Sequence, residues 1–285
     1  MYYILILQQI IASTTHIIAK NVLLSVPSPL LLVLRAFIAS TGYIVYLMFK
    51  KEKLFRIERK DLLGFIILAF LNIPVNQFLF FMSLKYTSPP NVALAYALSP
   101  AFILVIAYFF LKEKLSRLKT LGIMIALGGT LLILFEKGLN ISSDNFLGNL
   151  LALSASLAWA IYTIVGKKYV LKYGAIYTTA VAMCFGLILF LPVFFLLRPD
   201  YALSQIDTSL WGQIFYLGLI TSGVAYVLWY FALKKMEAGK LAVFNNLQPI
   251  LTTILAIIFL DYSLTSYFIV GGILTIIGVI VTQRG

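Results

Sequence analysis

Few side chains in this sequence could do chemistry, and most of them sit in apolar surroundings. His16, the sole histidine, follows Ser13, Thr14 and Thr15 inside an apolar run. An imidazole changes charge near neutral pH, so it could bind a solute or carry a proton. Bonded to a neighbouring helix, it would be a neutral structural group instead. Asn72, Asn76 and Gln77 flank Pro74 in another apolar run. Residues four apart share a helix face, so Asn72 and Asn76 form an amide pair suited to a zwitterionic or hydrogen-bonding ligand. Their other use is to glue helices together, at about 0.6 kcal/mol per bond. Two more runs carry Tyr96, Ser99 and Pro100, and Asn245, Asn246, Gln248 and Pro249. Proline has no N–H and collides with the carbonyl four residues back. The carbonyls of Phe70, Tyr96 and Asn245 are therefore expected to lack helical partners. In hydrocarbon such groups are tolerated only against protein or a water-filled cavity. Pro74, Pro100 and Pro249 are expected hinges, and the polar residues around them are expected to line a solute site.

Arg35 lies about two turns into its apolar run. It could draw a carboxylate into the cavity or snorkel to the outer interface. Trp159 and Tyr162 are three apart, as are Tyr226 and Trp229, so each pair is contiguous on a helix. Trp159, Tyr162 and Tyr226 are expected to wall a cavity. Trp229 and Tyr230, close to the end of their run, are expected as interface anchors or lipid contacts. Asp61, Glu113, Glu136, Asp144, Asp207 and Asp261 all fall at the ends of runs or between them. No carboxylate is expected deep among the helices, so proton coupling would have to use His16 or a rim acid. Phosphate loops, metal-ligand clusters and nucleophile–base spacings are absent. Neither an enzyme nor an ATP-driven pump is indicated, and no cofactor or metal is expected. The rival reading is a membrane-embedded enzyme or lipid-binding scaffold built on His16, which would need an acid or nucleophile partner.

The elements that position these residues follow from composition. Of 285 residues, 62% are hydrophobic and 11% charged, against about 25% charged in soluble domains. Ten apolar stretches approach the roughly 20 residues that a bilayer demands. They are placed at 3–23, 29–49, 62–84, 90–111, 118–135, 146–166, 176–197, 211–233, 240–260 and 264–283. The first has no basic segment before it and no cleavage site after it, so it is read as a retained helix. The single cysteine, Cys184, is mid-helix and says nothing of redox compartment.

The net charge of +12 could suggest a nucleic-acid partner, but its distribution explains it otherwise. Alternate connections hold the basic residues from Lys50 to Lys60, Lys112 to Lys119, Lys167 to Lys172 and Lys234 to Lys240, with Arg284. The other connections hold only Lys20, Lys85, Lys137 and Arg198. This is the positive-inside pattern, and it places both termini in the cytoplasm. The halves also echo one another. Shifted by 149 positions, 80–132 lies on 229–281 without a gap. Leu98, Pro100, Ala107, Gly122 and Gly129 then meet Leu247, Pro249, Ala256, Gly271 and Gly278. A duplicated unit of five helices, an odd number, must enter the membrane from opposite sides in its two copies. The glycines of the fifth and tenth helices are read as packing sites.

The segment from Ser83 to Ile133, with Pro100, Glu113, Gly122 and Gly129, resembles the drug/metabolite transporter superfamily, EamA type. The second half departs from the pattern, with Tyr262 opposite Glu113 and Asp261 one place earlier. The resemblance implies a ten-helix fold with a central cavity; together with the duplication, the expected architecture is an all-α membrane protein of two inverted five-helix repeats, 1–137 and 138–285. The resemblance also implies transport of small metabolites, often amino acids. Taken together, the sequence predicts a secondary carrier, a monomer or homodimer, in a bacterial inner membrane. Its expected partners are a small-molecule solute and the lipid bilayer. The predicted cavity is lined by helices 1, 3, 4, 6, 8 and 9.

Overall fold

A computed structural model describes residues 1–50, 57–113, 116–135, 143–197, 200–260 and 266–284. Lys51, Lys53, Arg56, Lys114, Glu136, Lys137, Arg198, Asp261 and Tyr262 lie outside the described residues. Every long element described is a helix. Eight are long and apolar enough to cross a membrane: α1 (Tyr2–Val22), α2 (Ser28–Phe49), α3 (Arg59–Tyr86), α4 (Pro89–Leu111), α6 (Phe146–Tyr173), α7 (Ala175–Leu197), α8 (Thr208–Lys235) and α9 (Ala238–Phe259). Two further helices, α5 (Arg117–Phe135) and α10 (Ser266–Arg284), pack along each other. Large apolar side chains such as Phe37, Phe109, Leu196 and Phe259 stand exposed. Water would not tolerate such a surface, whereas lipid requires it.

The helix ends follow local chemistry. Ser88 precedes Pro89 and Pro90, and its Oγ accepts from the Asn91 N–H at 3.4 Å. Proline is at home in a first turn, where its missing N–H costs nothing. Asp207 caps α8 by accepting from the Leu210 N–H at 2.8 Å. Lys112 ends α4 in the left-handed region, at φ 55°. The Lys112 N–H and the next, of Glu113 at 3.3 Å, both return to the Ala107 carbonyl, which closes the helix end. A non-glycine residue there costs about 1–2 kcal/mol. The reversal brings Glu113 round to the start of α9.

The prolines do not all act alike. Pro74 sits in a π-helical stretch, Leu71–Gln77, inside a continuous α3. The wider turn absorbs the missing N–H, so the expected break becomes a bulge. A second π-helical stretch, Leu217–Ala225 in α8, contains no proline and has no counterpart among the sequence expectations. In α4, one helical segment ends at Ala97 and another starts at Ser99, so Pro100 falls in a new first turn. In α9 a 3₁₀ turn, Val243–Asn246, precedes Leu247, and Pro249 falls in the first turn beyond it.

Glycines set the α5–α10 contact. An added Cβ at Gly122 would meet the Gly278 carbonyl, and one at Gly278 the Gly122 carbonyl; Gly129 faces the Gly271 carbonyl and Thr275 in the same way. Higher numbers on α5 meet lower numbers on α10, so the two helices run antiparallel.

Candidate functional site

The central cavity gathers side chains from seven helices. Gln8, Ala12, Thr15 and His16 come from α1, and Arg35 from α2. Asn76, Gln77 and Phe80 come from α3, Tyr96 from α4 and Trp159 from α6. Thr221, Ala225 and Tyr226 come from α8, and Gln248 from α9. Its volume is about 70 Å³, well under the roughly 300–1,000 Å³ of pockets for drug-sized ligands. Larger hollows flank α8, one lined by Thr14, Asn21 and Gln213 among apolar side chains, the other by Tyr173, Tyr177, Lys234 and Lys235.

The bulges of α3 and α8 explain much of the polar lining. In α3, the wide turn presents Asn76 and Gln77 side by side. Asn76 Nδ2 donates to Tyr96 Oη and to the Ala155 carbonyl, both at 2.7 Å. It fixes Tyr96 and joins α3 to α4 and α6. Gln77 Nε2 donates to Asn72 Oδ1 at 3.0 Å, while Gln77 Oε1 has no partner. In α8, the wide turn exposes carbonyls that α2 satisfies. Tyr43 Oη donates to the Ser222 and Gly223 carbonyls at 3.0 and 2.6 Å. Arg35 Nε donates to the Leu217 carbonyl at 3.1 Å and to Ser222 Oγ. Arg35 is only 3% exposed, with its guanidinium 5.2 Å from the Phe81 ring centre. It does not snorkel: its head is held inward by α8, contrary to one of the two sequence readings.

His16 is buried, with Nδ1 3.2 Å from the Ala12 carbonyl. A carbonyl can only accept, so this contact places the proton on Nδ1. Nε2 is left without a partner, as a bare acceptor when the ring is neutral. Phe80 and Tyr96 hold the imidazole edge-on at 5.1 and 6.2 Å.

The aromatic wall is larger than the spacing predicts. Trp159 stacks on Tyr162 at 5.6 Å and meets Tyr226 and Trp229, each at 5.3 Å; Tyr162 stacks on Tyr230 at 5.0 Å. Trp229 and Tyr230 are fully buried. Trp229 Nε1 donates to Thr163 Oγ1, and Tyr230 Oη to the Tyr162 carbonyl. This corrects their expected place at the lipid interface. Residues 226, 229 and 230 share one face of α8, and that face meets α6 rather than lipid. Gly166 makes room for the Tyr230 ring. The Trp159 Nε1 and Tyr162 Oη are without partners.

Of the expected lining residues, His16, Asn76, Gln77, Tyr96, Trp159, Tyr226 and Gln248 surround the cavity. Asn72, Ser99, Tyr162, Asn245 and Asn246 do not. Asn72 stands behind Gln77, and Tyr162 behind Trp159. Asn245 uses both side-chain atoms structurally, accepting from Gln9 Nε2 at 3.0 Å and donating to Ser99 Oγ at 2.7 Å. It ties α1, α4 and α9 together where the latter two are broken. Asn246 is buried with both amide atoms unpaired, away from the lining. Sequence reasoning passed over Gln8, Thr15, Phe80 and Thr221. A polar side chain in each apolar run was the available signal for three of them; Phe80 carried none.

The basic end of the bundle is built differently. Glu113 accepts from Lys167 Nζ at 2.6 Å and from the N–H groups of Ala238 and Gly239 at 2.8 and 3.1 Å. A carboxylate at a helix start satisfies orphan donors and complements the helix dipole. Burial pushes the Glu113 carboxyl up, but Lys167 and the two N–H groups outweigh it and hold it below its ordinary value. Lys119 pairs with Glu237. Asp61 accepts from Lys172 Nζ at 2.6 Å and Tyr173 Oη at 2.8 Å. At the other end, Lys20 Nζ donates to the Leu84 and Thr87 carbonyls at the close of α3.

Residues 1–135 and 146–284 match the EamA-like transporter family. The chain belongs to the EamA-like transporter family. It is 30% identical over 228 residues to the uncharacterized transporter YyaM of Bacillus subtilis, covering 78% of this chain and 73% of that protein. An uncharacterized transporter of Archaeoglobus fulgidus is 28% identical over 248 residues, covering 86% and 84%. A solved structure at 20% identity superposes with a TM-score of 0.80 over 98% of this chain and 94% of its own. At that identity the likeness concerns the fold alone. As an EamA-like protein, the chain is an integral membrane transporter, and its exposed apolar belt is the surface that meets lipid.

Proposed function

We propose that this EamA-like protein is a secondary carrier that moves a small polar or amphipathic metabolite, such as an amino acid, by alternating access. The observation that carries the reading is the cavity at the crossing of two broken helices. It is walled by aromatic rings and lined by His16, Gln77 and Trp159, each with a buried polar atom that no described residue satisfies, and by Arg35, bonded through Nε alone. Buried polar atoms are normally hydrogen-bonded, and a solute would supply the missing partners. His16, Asn76, Gln77, Tyr96, Trp159, Tyr226 and Gln248 are the proposed contacts. Ser99 and Asn245 join the hinges, and Pro74, Pro100 and Pro249 mark the points of flexing. The cavity is too small for a drug-sized ligand, so the halves would have to part to admit a larger solute.

The proposed architecture is two inverted five-helix repeats, 1–137 and 138–285. Three features support it. The Gly122–Gly278 contact, shifted by 149, becomes the Gly271–Gly129 contact, as a pseudo-twofold axis requires. The π-helical stretches of α3 and α8 fall at nearly matching positions. The breaks of α4 and α9 correspond and touch through Ser99 and Asn245. Half-helices meeting at mid-membrane are a recurrent design for solute sites in carriers.

Both termini are proposed to be cytoplasmic in a bacterial inner membrane. Facilitated transport or exchange is favoured over proton coupling, since no described carboxylate lines the cavity. The test is uptake of labelled amino acids into proteoliposomes. Flux without chemical change supports a carrier; conversion of the solute would instead support a membrane enzyme built on His16.

A further inference from the structure

We propose that Arg35 is the anion-binding group of the cavity, and that the transported solute carries a carboxylate there. This rests on the carrier reading of the same cavity, which it sharpens into a substrate class.

Among the described residues, Arg35 is the sole Lys or Arg lining the cavity, and no carboxylate lines it. A guanidinium cannot be deprotonated in a protein. Removing it from water is costly unless a counter-charge or strong acceptors are nearby. Arg35 has acceptors for Nε alone: the Leu217 carbonyl and Ser222 Oγ. Neither Nη nitrogen hydrogen-bonds to a described residue. Phe81 covers one face of the group, and the other structural contacts are neutral.

The geometry has a further consequence. The Nε bonds fix the plane of the guanidinium against α8, so the two Nη groups present their N–H donors in a set direction. A fixed fork of this kind matches a carboxylate in bidentate fashion. The opposing groups suit the rest of such a molecule. His16 Nε2 and Gln77 Oε1 are unpaired acceptors, able to take a hydroxyl or ammonium proton. Trp159 and Tyr226 offer an apolar surface. An amine without a carboxylate would meet an uncompensated cation. A dianion would find a single positive group. The cavity therefore favours a small monocarboxylate or a zwitterionic amino acid. Because Arg35 grips the π-helical stretch of α8, solute charge would also be felt directly by that helix.

The test uses matched acid and amide pairs on the purified full-length protein: lactate with lactamide, L-alanine with L-alaninamide, and L-phenylalanine with L-phenylalaninamide. Binding is read by calorimetry. At least one acid should bind about tenfold or more tightly than its amide, and Arg35→Gln should bring that ratio within about twofold. Equal affinity of every acid and amide, or no acid binding at millimolar concentration, overturns the proposal. So does an undiminished acid preference in Arg35→Gln. If that variant does not fold, the wild-type protein is treated with phenylglyoxal, which modifies arginine, and the Arg35 peptide is followed by mass spectrometry. The bound acid should slow its modification at least about fivefold, as expected when a fork is occupied; equal rates with and without acid overturn the assignment. Flux in proteoliposomes separates this inference from the one beneath it. Acid preference without flux defeats the carrier and leaves the anion site. Flux with equal use of acid and amide defeats the anion site and leaves the carrier.

Discussion

The basic end of the bundle and its central cavity use similar side chains to opposite ends. At the basic end, the described carboxylates Glu113, Asp61 and Glu237 are each paired. Glu113 has Lys167 and two backbone N–H groups, Asp61 has Lys172 and Tyr173, and Glu237 has Lys119. These links join α4 to α6 and α9, and α3 to α6. In the cavity, by contrast, His16 Nε2, Gln77 Oε1 and Trp159 Nε1 are buried without partners, and Arg35 is hydrogen-bonded through Nε alone among the described residues. Saturated polar groups hold helices in register. Unsaturated ones, lining a hollow between helices, are free to take a ligand. The contrast separates the residues that keep the bundle closed from those that would receive a solute, and it is open to attack from both sides.

The largest effect is expected at the basic end. Glu113→Ala leaves Lys167 and two N–H groups without their acceptor. Glu113 and Lys167 are partly exposed, so the cost, about 1–3 kcal/mol, is below that of a fully buried pair, and unfolding in detergent should begin at lower denaturant. Solute affinity, measured where the variant is folded, should hold. In the cavity the pattern should invert. Trp159→Phe, which keeps a ring in the stack and removes the unpaired Nε1 donor, should weaken solute binding about threefold to tenfold while stability falls less than in Glu113→Ala. Stability effects of equal size at both sites would erase the distinction. Pro249→Ala should slow proteoliposome flux about tenfold, equivalent to about 1.4 kcal/mol on the barrier, with affinity little changed; unaltered turnover would remove the hinge. The smallest effect is expected of Asn246→Ala, whose side chain is buried but off the lining. Its affinity should stay within about twofold, below about 0.4 kcal/mol, and a large loss would place it at the solute after all.

pH offers a further means of separation. Glu113 is held below its ordinary value in the folded protein. Its contribution is then fully present above about pH 4.3, the value of an unperturbed Glu, and is lost as pH falls through the lowered one. Thermal stability should drop on that acid limb, and Glu113→Gln should flatten it. An unchanged acid limb in Glu113→Gln would show that another carboxylate governs it.

Much of this was legible beforehand, because the signals were local. Apolar lengths located the helices to within a few residues; α6 is the exception, running on to Tyr173 and carrying Lys167 and Lys172 to the basic end. Pro100 and Pro249 marked the broken helices, since a missing N–H acts wherever it is placed. Pro74 was also located correctly, but its consequence was misjudged: the chain widened into a π turn instead of parting. The α8 bulge had no signal at all. Its carbonyls are stabilised by Arg35 and Tyr43, residues nearly 180 positions away in sequence.

The sequence by itself determined that this is a membrane protein with paired helix breaks and an echo between its halves. Those properties depend on length, hydropathy and proline, which act along the chain. Only the tertiary structure decided which way each polar side chain looks. Arg35 turns inward because α8 offers it acceptors, Asn245 serves the hinge because Ser99 and Gln9 reach it, and Trp229 is core because α6 lies opposite. In a soluble helix the polar face points to water and betrays its orientation. Here both lipid and neighbouring helices are apolar, so periodicity tells which residues share a face and leaves open what that face will meet.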